Sequence, residues 1–237
     1  MPSAIQCQRS AFHGEAAKAA TALADVVGTS VAAGAIRQLA EAWQATTISP
    51  DELASMLLGA SHVFAKTAAE QSTELVWTGP TTPIVSTRRT EQALLQVINA
   101  SNSTLFITSF VAYDISSIVK ALNEAICRGV LVSMLLESSQ DHGGSISIDV
   151  IGKMRTLVPL AKLYAWLDKT DEFSEGRVHA KVAVADGNIC FITSANLTGY
   201  AMEKNMEAGV LISGGHIPNL LAAHLLSLVD LKFVAAV

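Results

Sequence analysis

The chain has 237 residues, half of them apolar, and a formal charge of −5 from 16 basic and 21 acidic side chains. That length suits one domain of ordinary size, or one domain with an extension; the acidic balance excludes nucleic-acid binding by bulk positive charge, so any such binding has to come from a local patch. Three widely spaced cysteines, Cys7, Cys127 and Cys190, exclude a disulfide framework and a cysteine-based zinc site, and the six histidines include no HExxH or comparable metal spacing.

The first residues, Met1 to Arg9, lack a basic head followed by an apolar run, so no signal peptide is indicated. No uncharged apolar run reaches the ~18 to 20 residues that span a bilayer. A soluble cytoplasmic protein is expected. From Glu15 to Gln71 the chain is rich in Ala, Leu and other helix formers. Ile36, Leu39, Ala40 and Trp43 share one helical stripe, and Thr46-Thr47-Ile48-Ser49-Pro50 breaks it. Ser49-Pro50-Asp51-Glu52 then starts a new helix, with a capping hydroxyl, Pro in the first turn, and acids where the helix dipole favours them. Leu53, Met56, Leu57 and Ala60 are its expected buried face, and Met56 and Trp43 are expected in a core rather than around a cofactor.

Leu75 to Pro83 contains Gly79, Pro80 and Pro83 and marks the expected boundary between an N-terminal helical region, residues 1–75, and a second domain, residues 76–237. Past it, Arg88-Arg89-Thr90-Glu91 opens a helix that carries Leu94, Leu95, Val97 and Ile98 and closes at Ala100. Thr104–Phe110 is a strand, Ile115–Arg128 a helix ended by Gly129, and Val130–Leu136 a strand apolar on both faces. Cys127 and Cys190 read as small buried hydrophobes. Helix and strand alternating over short connections predict an α/β layer structure, a sheet with helices packed on it.

Ser138–Ser145 is a loop whose His142 reads as solvated. Ile146–Leu157 is a predicted helix, Leu163–Trp166 a strand, Asp168–Gly176 a charged loop, and Pro218 to about Phe233 a final helix with Leu220, Leu221, His224, Leu225 and Leu228 on one stripe. His224 there reads as a packed or snorkelling side chain, not a ligand.

Between them lies the most informative stretch, Val178 to Asn196. Two apolar runs of β-branched and small residues flank Asp186-Gly187-Asn188, a strong hairpin signal. With Gly187-Asn188 as a two-residue loop, Lys181 faces Ser194 and His179 faces Asn196, and strand alternation puts all four polar groups on one face. A face of His, Lys, Ser and Asn without a carboxylate suits an anion: Lys brings charge, Ser and Asn bring donors, and a neutral imidazole can be a nucleophile or proton shuttle. A phosphoryl group is the expected substrate class. Arg177, beside His179, is a further candidate phosphate contact.

His179-x-Lys181, four residues, Asp186, and then Ser194-x-Asn196 resembles the HKD motif of the phospholipase D superfamily. Asn205-Met206-Glu207 resembles that family's trailing Asn-x-Glu element, and Thr193 stands where the family has Gly. Ala125 to Val130 and Ser109-Phe110 at a strand end are also similar to segments of phospholipase D-like domains. The resemblance covers residues 85 to 233 and implies a mixed β-sheet with flanking helices, here behind an N-terminal helical extension. It implies two facing motifs, one histidine attacking phosphorus and the other protonating the leaving oxygen, with neither metal nor cofactor. This chain holds one copy, since no other histidine has Lys two residues on. The resemblance therefore implies either a homodimer with the site at its two-fold axis or an inactive chain.

Carried over by residue, His179 would be nucleophile in one subunit and general acid in the other. Lys181 and Asn196 would hold phosphoryl oxygens, with Ser109 and Arg177 as further phosphate contacts. Ser194 would donate to the phosphoryl oxygens or position His179, Glu207 would orient a histidine, and Asp186 would be structural. The pattern that includes Thr78-Gly79-Pro80, Arg88 to Glu91, Ser194 to Thr198 and Asn205 to Glu207 resembles the phospholipase D-like component of bacterial DISARM antiphage defence systems. That implies a metal-independent phosphodiesterase, a nuclease, working with other defence subunits. A non-catalytic nucleic-acid-binding or scaffold subunit is the alternative; a phospholipase comes third, because no basic amphipathic helix faces a membrane.

Overall fold

The computed structural model describes residues 29–237 except Asp114, together with Lys18 and Ala22. Cys7 lies outside the described residues. The chain forms two compact units, residues 1–66 and 67–237.

In the first unit, Thr29 caps helix α1 (Ser30–Gln44) by accepting from Ala32 N at 3.2 Å. Helix α2 (Pro50–Glu70) begins as its sequence requires: the Glu52 carboxylate accepts from Ser49 N and Oγ, both at 2.8 Å, closing a capping box. The expected buried stripes are not buried. No residue of α1 is buried, Met56 is 58 % exposed, and of Leu53, Met56, Leu57 and Ala60 only Leu53 is even half-buried. An amphipathic pattern says which side of a helix could be covered, not that something covers it.

The second unit is built on a sheet. Its strands are β1 (Ser72–Thr78), β2 (Thr104–Ser109), β3 (Leu131–Leu136), β4 (Lys162–Ala165), β5 (Val182–Ala185), β6 (Ile189–Thr193), β7 (Glu207–Ser213) and β8 (Ala235–Ala236). Among the described residues they form one mixed sheet in the order β1-β7-β6-β5-β2-β3-β4-β8. β2, β3 and β4 are parallel; the β2–β5 pair and every pair beyond it are antiparallel, as is β4–β8. β1 already belongs to this sheet, so the sheet starts ahead of the break expected at Leu75–Pro83. β7 and β8 were not expected as strands.

Period-two alternation divides the sheet residues between two cores. Leu105, Ile107, Val132, Met134, Ala183, Phe191 and Leu211 face the cluster closed by helices α3 (Thr90–Ala100), α4 (Ser116–Cys127) and α5 (Val150–Leu157), with Met202 of the short helix α6 (Gly199–Glu203). Phe106, Leu135, Tyr164, Val184 and Cys190 face the other, closed by Leu225 of helix α7 (Ile217–Asp230). β2 and β3 are buried on both faces over five consecutive residues each, the polar Thr108, Ser109 and Ser133 included.

Some boundaries differ from expectation. α5 starts at Val150, not Ile146, because the Asp149 carboxylate accepts from Gly152 N and caps it there. Cys190 is buried as expected, whereas Cys127 is exposed at the end of α4. Leu220 is 59 % exposed and falls off the α7 stripe that buries Leu225.

Candidate active site

The β5–β6 hairpin sets the geometry. Ala185 pairs with Ile189, so the loop is the three residues Asp186, Gly187 and Asn188, with left-handed backbone at Asp186 (φ 54) and Gly187 (φ 63). The expected two-residue loop was one residue out of register. Asp186 is drawn out of the ladder by its carboxylate, which accepts from the backbone N–H of Asn102, Ser103 and Thr104 at 2.7, 2.9 and 2.7 Å. Burial works to raise its pKa, but these bonds prevail and hold Asp186 below the ordinary carboxyl range. The hairpin tip is thereby fastened to the start of β2.

The shift moves the partners. Lys181 lies level with Thr193, whose N–H donates to the Lys181 carbonyl at 3.0 Å, so alternation alone does not bring Ser194 and Asn196 to the Lys181 face. Other contacts position them. Ser194 N donates to Ala208 O at 2.9 Å, and Ser194 Oγ donates to Glu207 Oε2 at the start of β7. Asn205 Nδ2 donates to Glu207 Oε1 at 3.3 Å, so one carboxylate gathers Ser194 and Asn205. Thr193 Oγ1 donates to Ala208 O and accepts from Ala195 N, each at 3.1 Å, bracing the turn out of β6. β7 can lie this close because residue 209 is glycine, where a Cβ would come within 2.7 Å of Ile192 O.

Asn196 is placed from the other side. Leu197 N donates to Val111 O (3.1 Å) and Tyr113 N donates to Leu197 O (2.8 Å), which ties this loop to the chain leaving β2. Ser109 is part of the same tie. It is 1 % exposed; its hydroxyl donates to Val111 O at 2.7 Å and accepts from Leu197 N at 3.2 Å. The hydroxyl expected to contact phosphate is thus buried and bonded to backbone on both sides. Asn196 Oδ1, by contrast, is buried with no hydrogen-bond partner among the described residues.

His179 is exposed, and its ring rests against Phe110 with centroids 5.3 Å apart. Lys181 is 7 % exposed, its Nζ donates to the His179 carbonyl at 2.7 Å, and it lies 5.9 Å from the Phe110 ring centre. Burial pushes the Lys181 amine down from its ordinary value, and the nearby Glu207 carboxylate offsets part of that. An exposed imidazole, a partly desolvated cation and an amide whose oxygen has no partner among the described residues thus occur on linked segments.

Arg177 is exposed, forms no ion pair among the described residues, and lines a cavity of about 560 Å³ together with His179. The rest of that cavity is largely apolar, with Leu135, Trp166, Phe173, Leu225 and Leu228 among its walls. His142 is exposed and its Nδ1 lies 2.8 Å from Ser139 Oγ, in keeping with a solvated loop residue. His224 is exposed and is one of the residues that line the large cavity. Among the described residues, no three His, Cys, Asp or Glu side chains gather as metal ligands. No helix among them is long and apolar enough to cross a membrane.

Phe110 was named from the sequence with Ser109 at a strand end; two other residues near His179, Thr108 and Glu137, were not singled out. Only Glu137 carried a signal, as a carboxylate directly after a strand apolar on both faces.

A family model described as "Cardiolipin synthase, PLD-like domain" matches residues 94–228. The DISARM protein DrmC of Bacillus paralicheniformis is 24% identical over 172 residues, which is 72% of this chain and 69% of that protein. Cardiolipin synthase A of Pseudomonas aeruginosa is 29% identical over 122 residues, 49% of this chain but only 22% of that relative. Among solved structures, the phospholipase D family member Nuc from Salmonella typhimurium covers 71% of this chain and 99% of its own, with a TM-score of 0.51 and 23% identity. NucT from Helicobacter pylori covers 71% of this chain and 100% of its own, with a TM-score of 0.52 and 20% identity.

Proposed function

The chain belongs to the phospholipase D superfamily, and from that premise we propose that it is a metal-independent phosphodiesterase of the nuclease type, acting as a homodimer in a cytoplasmic antiphage defence system of the DISARM kind. The observation that carries the chemistry is the exposed imidazole of His179, whose backbone carbonyl accepts from Lys181 Nζ, with Asn196 on the next loop. Similarity to DrmC supports the defence role.

In this reading the His179 imidazole of one copy attacks phosphorus, forming a P–N bond as the P–O bond to the leaving group breaks. The imidazole of the other copy gives its proton to the departing oxygen. Water then attacks the phosphohistidine; the second imidazole takes back a proton, and the phosphomonoester and the free His179 ring are released. Lys181 and Asn196 hold the non-bridging oxygens, Arg177 adds charge at the mouth, and Glu207 fixes Ser194 and orients a histidine. Donors of this kind take the place that clustered carboxylates hold in a two-metal nuclease.

The test is hydrolysis of bis(4-nitrophenyl) phosphate in EDTA by wild type and by His179→Asn. Turnover should persist in the chelator and disappear in the variant, together with a phosphoryl label that is stable to base and labile to acid. Loss in EDTA that Mg²⁺ restores, or a label on another residue, would overturn the mechanism. A folded wild-type protein that binds nucleic acid but turns over no phosphodiester would instead favour the non-catalytic subunit. A second reading, a lipid phosphodiester as substrate, is favoured by the apolar cavity beside His179, whose volume falls in the range of small-molecule sites. Turnover of diacyl phospholipid in mixed micelles but not of DNA or RNA would select it.

A further inference from the structure

The segment that carries His179 precedes the sheet ladder. The first β5 residue in register is Val182, and ahead of it only Lys181 O continues the hairpin, accepting from Thr193 N, so residues 178–180 have no regular strand bonds to fix them. Side chains do it instead. Ala180 O accepts from Thr108 Oγ1 at 3.0 Å, and His179 O accepts from Lys181 Nζ at 2.7 Å. Val178 N, which enters the histidine, donates to Glu137 Oε2 at 2.8 Å.

Glu137 is 2 % exposed and follows the last residue of β3. Its other oxygen, Oε1, accepts from Ser145 N at 3.1 Å and Ser145 Oγ at 2.8 Å. An ionised carboxylate is an acceptor at both oxygens and can serve both sides at once. A buried acid is costly unless its oxygens are bonded, so this arrangement is an expensive way merely to close a loop. What it adds is a bridge from the end of a strand buried over its last five residues to the backbone one residue before the imidazole.

We propose that Glu137 is a positioning residue for His179: its buried carboxylate fixes the backbone at Val178 and so sets where the imidazole sits. The effect on turnover rests on the phosphodiesterase reading above; the effect on His179 geometry does not. In Glu137→Gln the side chain keeps its shape but has one acceptor oxygen and one NH₂, so either Val178 N–H or the Ser145 donors face a donor.

Three readouts on the full chain test this. In wild type, the Val178 amide should exchange with solvent as slowly as amides within the sheet, although it lies outside the ladder; exchange at the rate of an exposed loop amide would overturn the proposal without any variant. In Glu137→Gln, kcat on bis(4-nitrophenyl) phosphate should fall by about 10- to 100-fold with KM nearly unchanged, since a misplaced nucleophile loses rate rather than binding. Ser145→Ala leaves the Val178 bond in place and should keep wild-type kcat. The ring resonances of His179 should move in Glu137→Gln and stay in Ser145→Ala, which is readable even if Glu137→Gln is destabilised or the wild type turns nothing over. Equal kcat in wild type and Glu137→Gln, or unmoved His179 resonances in Glu137→Gln, would overturn the assignment. An inactive wild type with the expected exchange and resonances would count against the phosphodiesterase reading alone.

Discussion

Lys181 is where burial and chemistry meet most directly at the level of single residues. Its amine is pushed below the ordinary lysine value by burial, with Glu207 pulling partly the other way. A lysine with a depressed pKa in the folded state holds its proton less readily there than in the unfolded chain. Its charged form therefore costs stability below the folded pKa, and that cost is relieved as pH rises through the folded value toward the ordinary one. Under the proposed mechanism activity runs the opposite way over the same window, because the cation assigned to the phosphoryl oxygens is lost. We expect kcat/KM to decline on the alkaline side at a pH below the ordinary lysine range. In Lys181→Arg, whose charge does not titrate there, the residual activity should lack that decline; an unchanged alkaline limb would assign it to another group. The candidacy of His179 and Lys181 was legible because residue type and local spacing define it. Ser109 was not: its hydroxyl is consumed by Leu197, 88 positions away in sequence, and no local pattern announces a partner at that distance.

At the scale of elements, the hairpin shows the same division. That Val182–Ala185 and Ile189–Thr193 would pair followed from two apolar runs around a turn signal, but the register depended on whether Asp186 belonged to the strand or the loop. The deciding contacts come from the backbone of residues 102–104, which the hairpin sequence does not contain. β7 was missed for a related reason: Gly209 weakens its strand pattern, yet glycine is what lets it approach β6. The bonds at Asp186 give a prediction. Asn tolerates a left-handed backbone but carries no charge and only one acceptor oxygen, so Asp186→Asn should lower stability at neutral pH by about 1 kcal/mol, a low figure because the carboxylate is exposed. A carboxylate with a depressed folded pKa contributes stability that is present above its unfolded pKa and is lost as pH falls through the folded one. Denaturation midpoints of the two proteins should therefore converge as pH drops below the ordinary carboxyl range; a gap that is constant with pH would mean the bonds owe nothing to charge.

For the whole molecule, the helix–strand alternation from Thr90 onward was enough to foresee an α/β layer structure, whereas the first helices kept their pattern without the burial it suggested. What neither the layers nor the hairpin supplies is a second imidazole. The proposed double displacement needs two on opposite sides of phosphorus, and the chain offers one His-x-Lys motif. Two copies related by a two-fold axis present the same face to one phosphate, each contributing His179, so activity should belong to the dimer. Mixing subunits measures this directly. A heterodimer of wild type and His179→Ala would have a single imidazole in its only site. After random exchange the fraction of dimers with both groups is the square of the wild-type fraction, and activity should follow that curve. Residues that act as a unit lose nearly all of their effect when one is removed, so the heterodimer should add little. A linear decline would mean that each chain works alone, with His179 and its neighbours sufficient for turnover, and the two-histidine mechanism would have to be abandoned.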